Sequence, residues 1–135
     1  MPSWSQLFPG RPEQVERARL FTRMVLTGRD QEEAAALVVS ELATNAVRHT
    51  ASGAPGGTFT VSVMVHGDGV LVGVDDLGSA GEPAIRDADV EDDLALSGRG
   101  LLLVATVAKE WGSAATEAGR RVWAELSGSD AAGAV

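Results

Sequence analysis

Two polar residues share one face of a predicted helix in a way that suits ligand binding. Glu41 and Asn45 are four residues apart, and Ala34 and Val38 precede them on the same stripe. The pair therefore continues an apolar face. A carboxylate and an amide placed there are costly unless each finds a partner or a water-filled pocket. The stripe indicates either a binding site or the wet end of a helix that leaves the core.

A second group lies where a predicted buried strand ends. Asp76 follows that strand directly, and Gly78 allows the backbone to turn sharply beside the carboxylate. Binding groups often lie at such positions on a rigid scaffold, although Asp and Gly are also the commonest residues of ordinary turns. Asp75 should point to the opposite face of the strand, because side chains alternate along it.

The third group, Gly98-Arg99-Gly100, precedes a predicted helix over residues 101–108. Glycines there let bare amides and the positive end of the helix dipole face an anion, and Arg99 adds charge. A flexible segment at the entry to the helix would explain the two glycines equally well. The group lacks the Gly-Lys-Ser/Thr of a Walker loop and the βαβ context of a dinucleotide fingerprint.

Periodicity and turn residues predict the elements that position these groups. A strand over 4–8 should lead through Pro12 into a helix that ends near Gly28. Asp30 is the predicted N-cap of the second helix, with Glu33 completing a capping box. That helix should run to about His49.

The remaining pattern predicts a sheet. Alternating residues mark a strand over 58–66, a hairpin turn follows at 67–69, and a mostly apolar strand returns over 70–74. Gly112 should close the third helix near a further strand. A tight turn at Ala118-Gly119 should begin the last strand, and 127–135 should be a flexible tail. Residues 79–97 are long enough to suggest a lid or binding loop.

The sum is an α+β fold, a two-layer sandwich with about three helices on one face of a mixed, mostly antiparallel sheet. A length of 135 residues with 44% hydrophobic side chains suits one domain, 1–135, with its core over about 8–126. The net charge of -8 disfavours a nucleic-acid partner. Without cysteine, a signal segment or a long apolar stretch, the chain is expected in the cytoplasm.

In this order, the three groups resemble the GHKL (HATPase_c) superfamily of ATPases and its Bergerat ATP-binding fold. The N box would be 41–49, the first glycine box 76–78 and the second glycine box 98–101. Within the superfamily, the chain is most similar to the stand-alone anti-sigma-factor serine/threonine kinases of Gram-positive bacteria. The similarity extends from about Phe8 to Leu126.

The resemblance implies a role for each group. Asn45 would ligate Mg²⁺, Glu41 would be the general base, and Asp76 would accept a hydrogen bond from the adenine amino group, with Gly78 letting the base approach. Arg48 or His49 would help to bind the phosphates from the end of the second helix. The phosphates would be enclosed by the second glycine box, namely Gly98, Arg99, Gly100 and Leu101.

The implied function is that of an ATP-dependent protein kinase and anti-sigma factor. It would phosphorylate a Ser or Thr of a STAS-type anti-sigma-factor antagonist and sequester a sigma factor, and it could form a homodimer. One alternative is a regulator that binds partners with or without nucleotide and transfers no phosphate. The catalytic module of a histidine kinase is disfavoured, because no dimerising helical pair with a phospho-accepting His is expected before the ATP domain, and the second helix begins too early for one.

The sequence departs from the superfamily pattern in two places. Ala80 stands where many relatives have a second glycine in the first glycine box. The final hairpin has Gly119-Arg120-Arg121 where a Gly-Thr pair often contacts adenine through water. Neither departure changes Glu41, Asn45 or Asp76.

Overall fold

The computed structural model describes residues 2–78 and 98–128. Within these ranges the chain forms five strands and three helices, with a short 3₁₀ turn, Ala51–Gly53, after the second helix. In chain order the elements are β1 Ser3–Pro9, α1 Pro12–Val25, α2 Glu32–His49, β2 Thr58–His66, β3 Gly69–Asp76, α3 Gly98–Val107, β4 Glu110–Ala115 and β5 Arg120–Leu126.

The strands form one sheet in the order β1-β2-β3-β5-β4, and every neighbouring pair is antiparallel. The mostly apolar strand predicted over 70–74 is β3, which lies in the middle of the sheet. Its pairing with β5 places Asp76 opposite Arg120 and Asp75 opposite Arg121. The predicted α+β sandwich is therefore confirmed, with a sheet that is antiparallel throughout.

The helices cover one face of this sheet, which we call the covered face. Valines alternate along β2 and β3 so that Val61, Val63, Val72 and Val74 lie beneath the helices with at most 1% of their surface exposed. Phe59 joins them and stacks on Phe8 of β1, with ring centroids 5.4 Å apart. Burial of this apolar surface is the main stabilising contribution to the fold.

The first two helices pack as a hairpin on the covered face. The helix predicted after Pro12 is confirmed as α1, whose Ala18 and Thr22, four residues apart on one face, are fully buried. Thr22 satisfies its hydroxyl by donating to the carbonyl of Ala18, 2.9 Å away. Pro12 stands at the first turn of α1, where a missing amide hydrogen costs nothing.

The predicted start of α2 is wrong. The N-cap is Gln31 in helical conformation, with no side-chain cap, so Asp30 lies one residue too early for that role. Glu33 does not complete a capping box either, because it pairs with Arg23 of α1 at 2.8 Å. Tertiary contact decides this helix start, since the buried Gln31 amide donates to the carbonyl of Asp68 in the β2–β3 hairpin at 2.5 Å.

Two predictions around α3 also need correction. The backbone of Gly98, Arg99 and Gly100 is the first turn of the helix and not a loop before it. Gly112 does not close the helix, which ends at Val107, but lies in the middle of β4. There the indole of Trp123 on β5 fills the space that a side chain would need, 2.8 Å from the Cβ position.

None of the helices described is both long enough and apolar enough to cross a membrane. The predicted lid at 79–97 and the tail beyond 128 lie outside the described residues.

Candidate functional site

The polar stripe of α2 lies where the helix emerges from the core. Val38 is fully buried, whereas Glu41 and Asn45 are half-buried. Within residues 2–78 and 98–128, neither polar side chain makes a hydrogen bond or an ion pair to another side chain or to the backbone. A carboxylate and an amide are thus presented together from a rigid helix, with their polar atoms available to a ligand.

The end of α2 carries the two basic residues predicted to assist. Arg48 is exposed and His49 is half-buried in the last turn. Thr50 then stops the helix: its hydroxyl donates to the carbonyl of Ala46 at 2.6 Å and accepts from the amide of Ser52 at 3.0 Å. Because this side chain satisfies backbone groups at the helix end, the chain can leave α2 sharply.

The turn after β3 holds a buried carboxylate. Asp76 is only 7% exposed. Its Oδ1 accepts a hydrogen bond from the amide of Gly78, 2.6 Å away. Gly78 has a φ of 73°, a left-handed conformation that favours glycine.

Burial raises the pKa of the Asp76 carboxyl above its ordinary range. The Gly78 amide and the charge of Arg120 act in the opposite direction, and the charge of Asp75 adds to the increase. Desolvation is the largest of these effects. It raises the pKa because it penalises the ionised form of the carboxyl. A buried carboxylate with a perturbed pKa, at the end of a central strand, is a typical feature of a ligand-binding site.

Two hydrogen bonds join this turn to the segment that follows α2. The amide of Ala51 donates to the carbonyl of Gly78 at 2.6 Å. The amide of Leu77 donates to the hydroxyl of Ser52 at 3.0 Å, and Ser52 is fully buried. The structure therefore brings the turn bearing Asp76 against the end of the helix that carries Asn45, although 31 residues separate them in sequence.

Sequence reasoning did not identify Ser52 as part of the site. A Ser two residues after Thr50 at a helix end is a signal for a local hydroxyl-backbone turn. That pattern does not reveal that the Ser52 hydroxyl will accept from a distant strand. Only the packing of α2 on β3 places the two segments side by side.

The residue before β5, Gly119, closes the site on another side. Gly119 packs so tightly against the turn that a Cβ atom there would lie 2.2 Å from the carbonyl oxygen of Asp76 and 2.5 Å from the amide nitrogen of Gly78. This close approach requires glycine and fixes the position of the following residue, Arg120.

The second glycine box lies on a helix that packs against α2. The backbone of Gly98, Arg99, Gly100 and Leu101 forms the first turn of α3, whose amides have no intrahelical partner. Such amides favour anions. The position of Ala80 lies outside the described residues.

A divalent ion would depend on few protein ligands in this site. In the described portion, no three His, Asp or Glu side chains cluster closely enough to hold a metal. The Asn45 carbonyl oxygen is a hard ligand of the kind that Mg²⁺ accepts alongside phosphate oxygens and retained waters. The donor set therefore fits an ion delivered with a nucleotide better than a resident metal.

The region that contains the candidate site residues matches a known protein family. A family model described as histidine kinase-like ATPase domain matches residues 8–126, from the end of β1 to the end of β5. All three groups of candidate site residues fall inside the match. A search of curated proteins found no match.

Proposed function

The chain belongs to the histidine kinase-like ATPase domain family, and from that premise we propose that it binds Mg-ATP as a serine/threonine protein kinase and anti-sigma factor. The observation that carries the proposal is the pair of hydrogen bonds from Ala51 and Leu77 that ties the Asp76 turn to the end of α2. A purine bound at Asp76 would then have its phosphates directed toward the Asn45 face.

Each residue has a defined task in this proposal. Asp76 accepts a hydrogen bond from the purine amino group, and Gly78 leaves room for the base. Asn45 offers its carbonyl oxygen to Mg²⁺. The first-turn amides of α3, over 98–101, face the phosphates together with Arg48 or His49.

ATP would supply the γ-phosphoryl group for transfer to a hydroxyl of a partner protein. The hydroxyl oxygen forms a bond to the γ-phosphorus as the bond to the β-phosphate oxygen breaks, which leaves ADP. Glu41 takes the hydroxyl proton as general base, which requires its carboxylate to lie within hydrogen-bond reach of the nucleophile. The half-buried, unpaired position of Glu41 within the described chain suits that role.

The proposed partners are a STAS-type anti-sigma-factor antagonist, which receives the phosphate, and a sigma factor, which the protein sequesters. The similarity to anti-sigma-factor kinases supports both. A homodimer remains a prediction, which sedimentation equilibrium of the purified chain would test.

Nucleotide binding is the first step to test. Mg-ATP should raise the melting temperature, because a ligand that binds only the folded state stabilises it. Asp76→Asn should abolish that rise, because the Gly78 amide holds the side-chain oxygen and leaves an NH₂ donor where the purine amino group needs an acceptor. Asp75→Asn is the matched control on the opposite face of the strand and should retain the rise. Loss in both variants, or in neither, would contradict the assigned base position.

Phosphotransfer needs a second experiment, with labelled Mg-ATP and purified candidate antagonists. Label should appear on a Ser or Thr of the antagonist and disappear with Glu41→Gln, while the Mg-ATP-induced rise in melting temperature survives. Glu33→Gln, two turns earlier on α2 and exposed, is the control and should transfer normally. Normal transfer by Glu41→Gln would refute the role of Glu41, and nucleotide binding without any transfer would favour a regulator that is not a kinase.

A further inference from the structure

Two arginines at the start of β5 meet the two aspartates at the end of β3. The register pairs Asp76 with Arg120 and Asp75 with Arg121. Because side chains alternate along a strand, the first pair lies on the covered face and the second on the opposite face. Directly opposed residues of an antiparallel pair have Cβ atoms about 5 Å apart. Each carboxylate therefore has one guanidinium group across from it on its own side of the sheet.

The pair on the opposite face is already formed. Arg121 donates from Nε to Oδ1 of Asp75 at 2.5 Å and from Nη2 to Oδ2 at 2.8 Å. This bidentate contact holds the Arg121 guanidinium away from the covered face. Arg120 is consequently the basic residue of β5 that serves the Asp76 side.

Arg120 is held at this position by its neighbours. Gly119 before it packs on the backbone of the Asp76 turn at a distance that excludes any side chain. On the other side, Nη1 of Arg120 donates to Oγ of Ser113 on β4 at 3.3 Å. The residue is half-buried, so its charge is incompletely screened by solvent.

The charge of Arg120 opposes the effect of burial on its neighbour. Burial raises the pKa of Asp76, and both the Gly78 amide and Arg120 lower it. In the part of the chain that is described, the charged groups that act on Asp76 are Arg120 from β5 and Asp75 from β3 itself. Ser52, which faces the same turn from the 3₁₀ turn, is neutral.

We propose that Arg120 is a positioning residue of the nucleotide site, which keeps the Asp76 carboxylate an acceptor and thereby makes the site prefer adenine over hypoxanthine. The inference rests on the proposed function for its ligand. Adenine presents an amino donor at the position where hypoxanthine presents a carbonyl acceptor, as guanine does. A carboxylate accepts from the former and repels the latter, whereas a protonated carboxyl can donate to the carbonyl.

The test compares Arg120→Met, Arg120→Lys and Arg121→Met. Affinities for Mg-ATP and Mg-ITP are measured by calorimetry from pH about 5 to about 8, and the Asp76 carboxyl is titrated by carbon NMR without nucleotide. Loss of a nearby cation raises a carboxyl pKa, so in Arg120→Met the acid limb of ATP binding should move up by about one pH unit. Within that window the ratio of ATP to ITP affinity should fall about tenfold.

The other two variants test whether the effect depends on the charge and on the position of Arg120. Arg120→Lys keeps the charge and should restore most of the preference for ATP, which also separates a charge effect from a folding defect. Arg121→Met removes the same charge from the other face and should shift the acid limb by less than half as much. An unchanged NMR titration and ATP-to-ITP ratio in Arg120→Met, or an equal shift in Arg121→Met, would overturn the inference.

The nucleotide-free titration separates this inference from the proposed function. If the wild type binds neither nucleotide yet the Asp76 titration moves in Arg120→Met, the coupling of the two residues stands, but its role in a nucleotide site is refuted. If nucleotide binds and the titration does not move, the proposed function stands and the role of Arg120 fails.

Discussion

The two faces of the sheet give adjacent residues opposite surroundings. On the covered face, Asp76 is buried, and burial raises its pKa. On the opposite face, which we call the open face, Asp75 is half-exposed and pairs with Arg121, whose pKa is raised by that contact. Adjacent residues therefore carry one buried carboxylate whose ionisation is costly and one partly exposed carboxylate that forms an ion pair. Strand alternation under a one-sided helical layer is sufficient to produce the difference.

The open face is not uniformly polar. It carries a groove of about 260 Å³ whose lining includes Met64, Leu71 and Trp123. The groove lies on the other side of the sheet from Asp76, so it is separate from the candidate nucleotide site. Its apolar side chains are more exposed than those of the covered face, and the comparison predicts that they contribute less to stability.

The largest expected effect tests that difference along a single strand. Phe59→Ala on the covered face of β2 should reduce the free energy of unfolding by about 3–5 kcal/mol, because it removes a fully buried ring that stacks on Phe8. Met64→Ala, toward the open face of the same strand, should cost less than about 1 kcal/mol. Chemical denaturation measures both, and equal losses would mean that the open face is covered in solution.

The next comparison concerns two glycines of the β4–β5 region. Gly119→Ala would place a Cβ atom against the backbone of the Asp76 turn, so we expect a loss of about 1–3 kcal/mol and a weaker response of the melting temperature to Mg-ATP. Gly112→Ala on the open face would meet only the indole of Trp123, a side chain that can shift. Its cost should be clearly smaller, with the Mg-ATP response intact. A larger cost at Gly112 would reverse the comparison.

The hydroxyl that joins the turn to α2 should have an effect of similar or lower size. Ser52→Ala leaves the Leu77 amide without its acceptor, and an unsatisfied buried donor costs about 1–3 kcal/mol. Ser62→Ala on the open face is the control and should change stability by less than about 0.5 kcal/mol. The Leu77 amide should exchange its hydrogen faster in Ser52→Ala than in the wild type. Unchanged or slower exchange would argue against this contact.

The smallest effects differ in sign. A pKa raised in the folded state means that Asp76 costs no stability below its ordinary pKa of 3.8, and that the cost grows as pH rises from that value to the folded-state pKa. Asp76→Asn should therefore raise the nucleotide-free melting temperature at neutral pH, and the gain should vanish as pH falls toward that ordinary value. A lower melting temperature for Asp76→Asn at neutral pH would contradict the assigned cost of ionisation.

Asp75→Asn should act in the opposite direction. It breaks a partly exposed ion pair, which is worth about 0–1 kcal/mol and less at high salt. Melting curves of the two asparagine variants across pH and salt would reveal the contrast. Changes of the same sign in both would show that the two faces do not differ as described.

Much of the fold could be predicted from the sequence because its signals are local. Alternation over 58–66 reflects a strand with one buried side, and the spacing of Val15, Ala18 and Thr22 reflects a helix with one buried side. The same alternation correctly assigned Asp75 and Asp76 to opposite faces. The polar residues Glu41 and Asn45 stood out for the related reason that they interrupt an apolar stripe.

The errors arose where a local signal competed with a distant contact. Asp30 has the chemistry of an N-cap, but Gln31 is drawn to the β2–β3 hairpin and the helix begins after it. Glycine at 112 suggested a helix end, but it makes room for an indole on the neighbouring strand. In both cases the deciding atoms belong to residues far along the chain.

The sequence by itself determined which residues face the core and which polar groups break that pattern, because periodicity depends only on neighbours along the chain. Tertiary structure decided that the turn at 76–78 rests against the end of α2 through Ser52, and that Arg120 stands across from Asp76. These pairings depend on strand register and on helix-to-sheet packing. Both are set by the burial of the whole apolar face, so no local pattern encodes them.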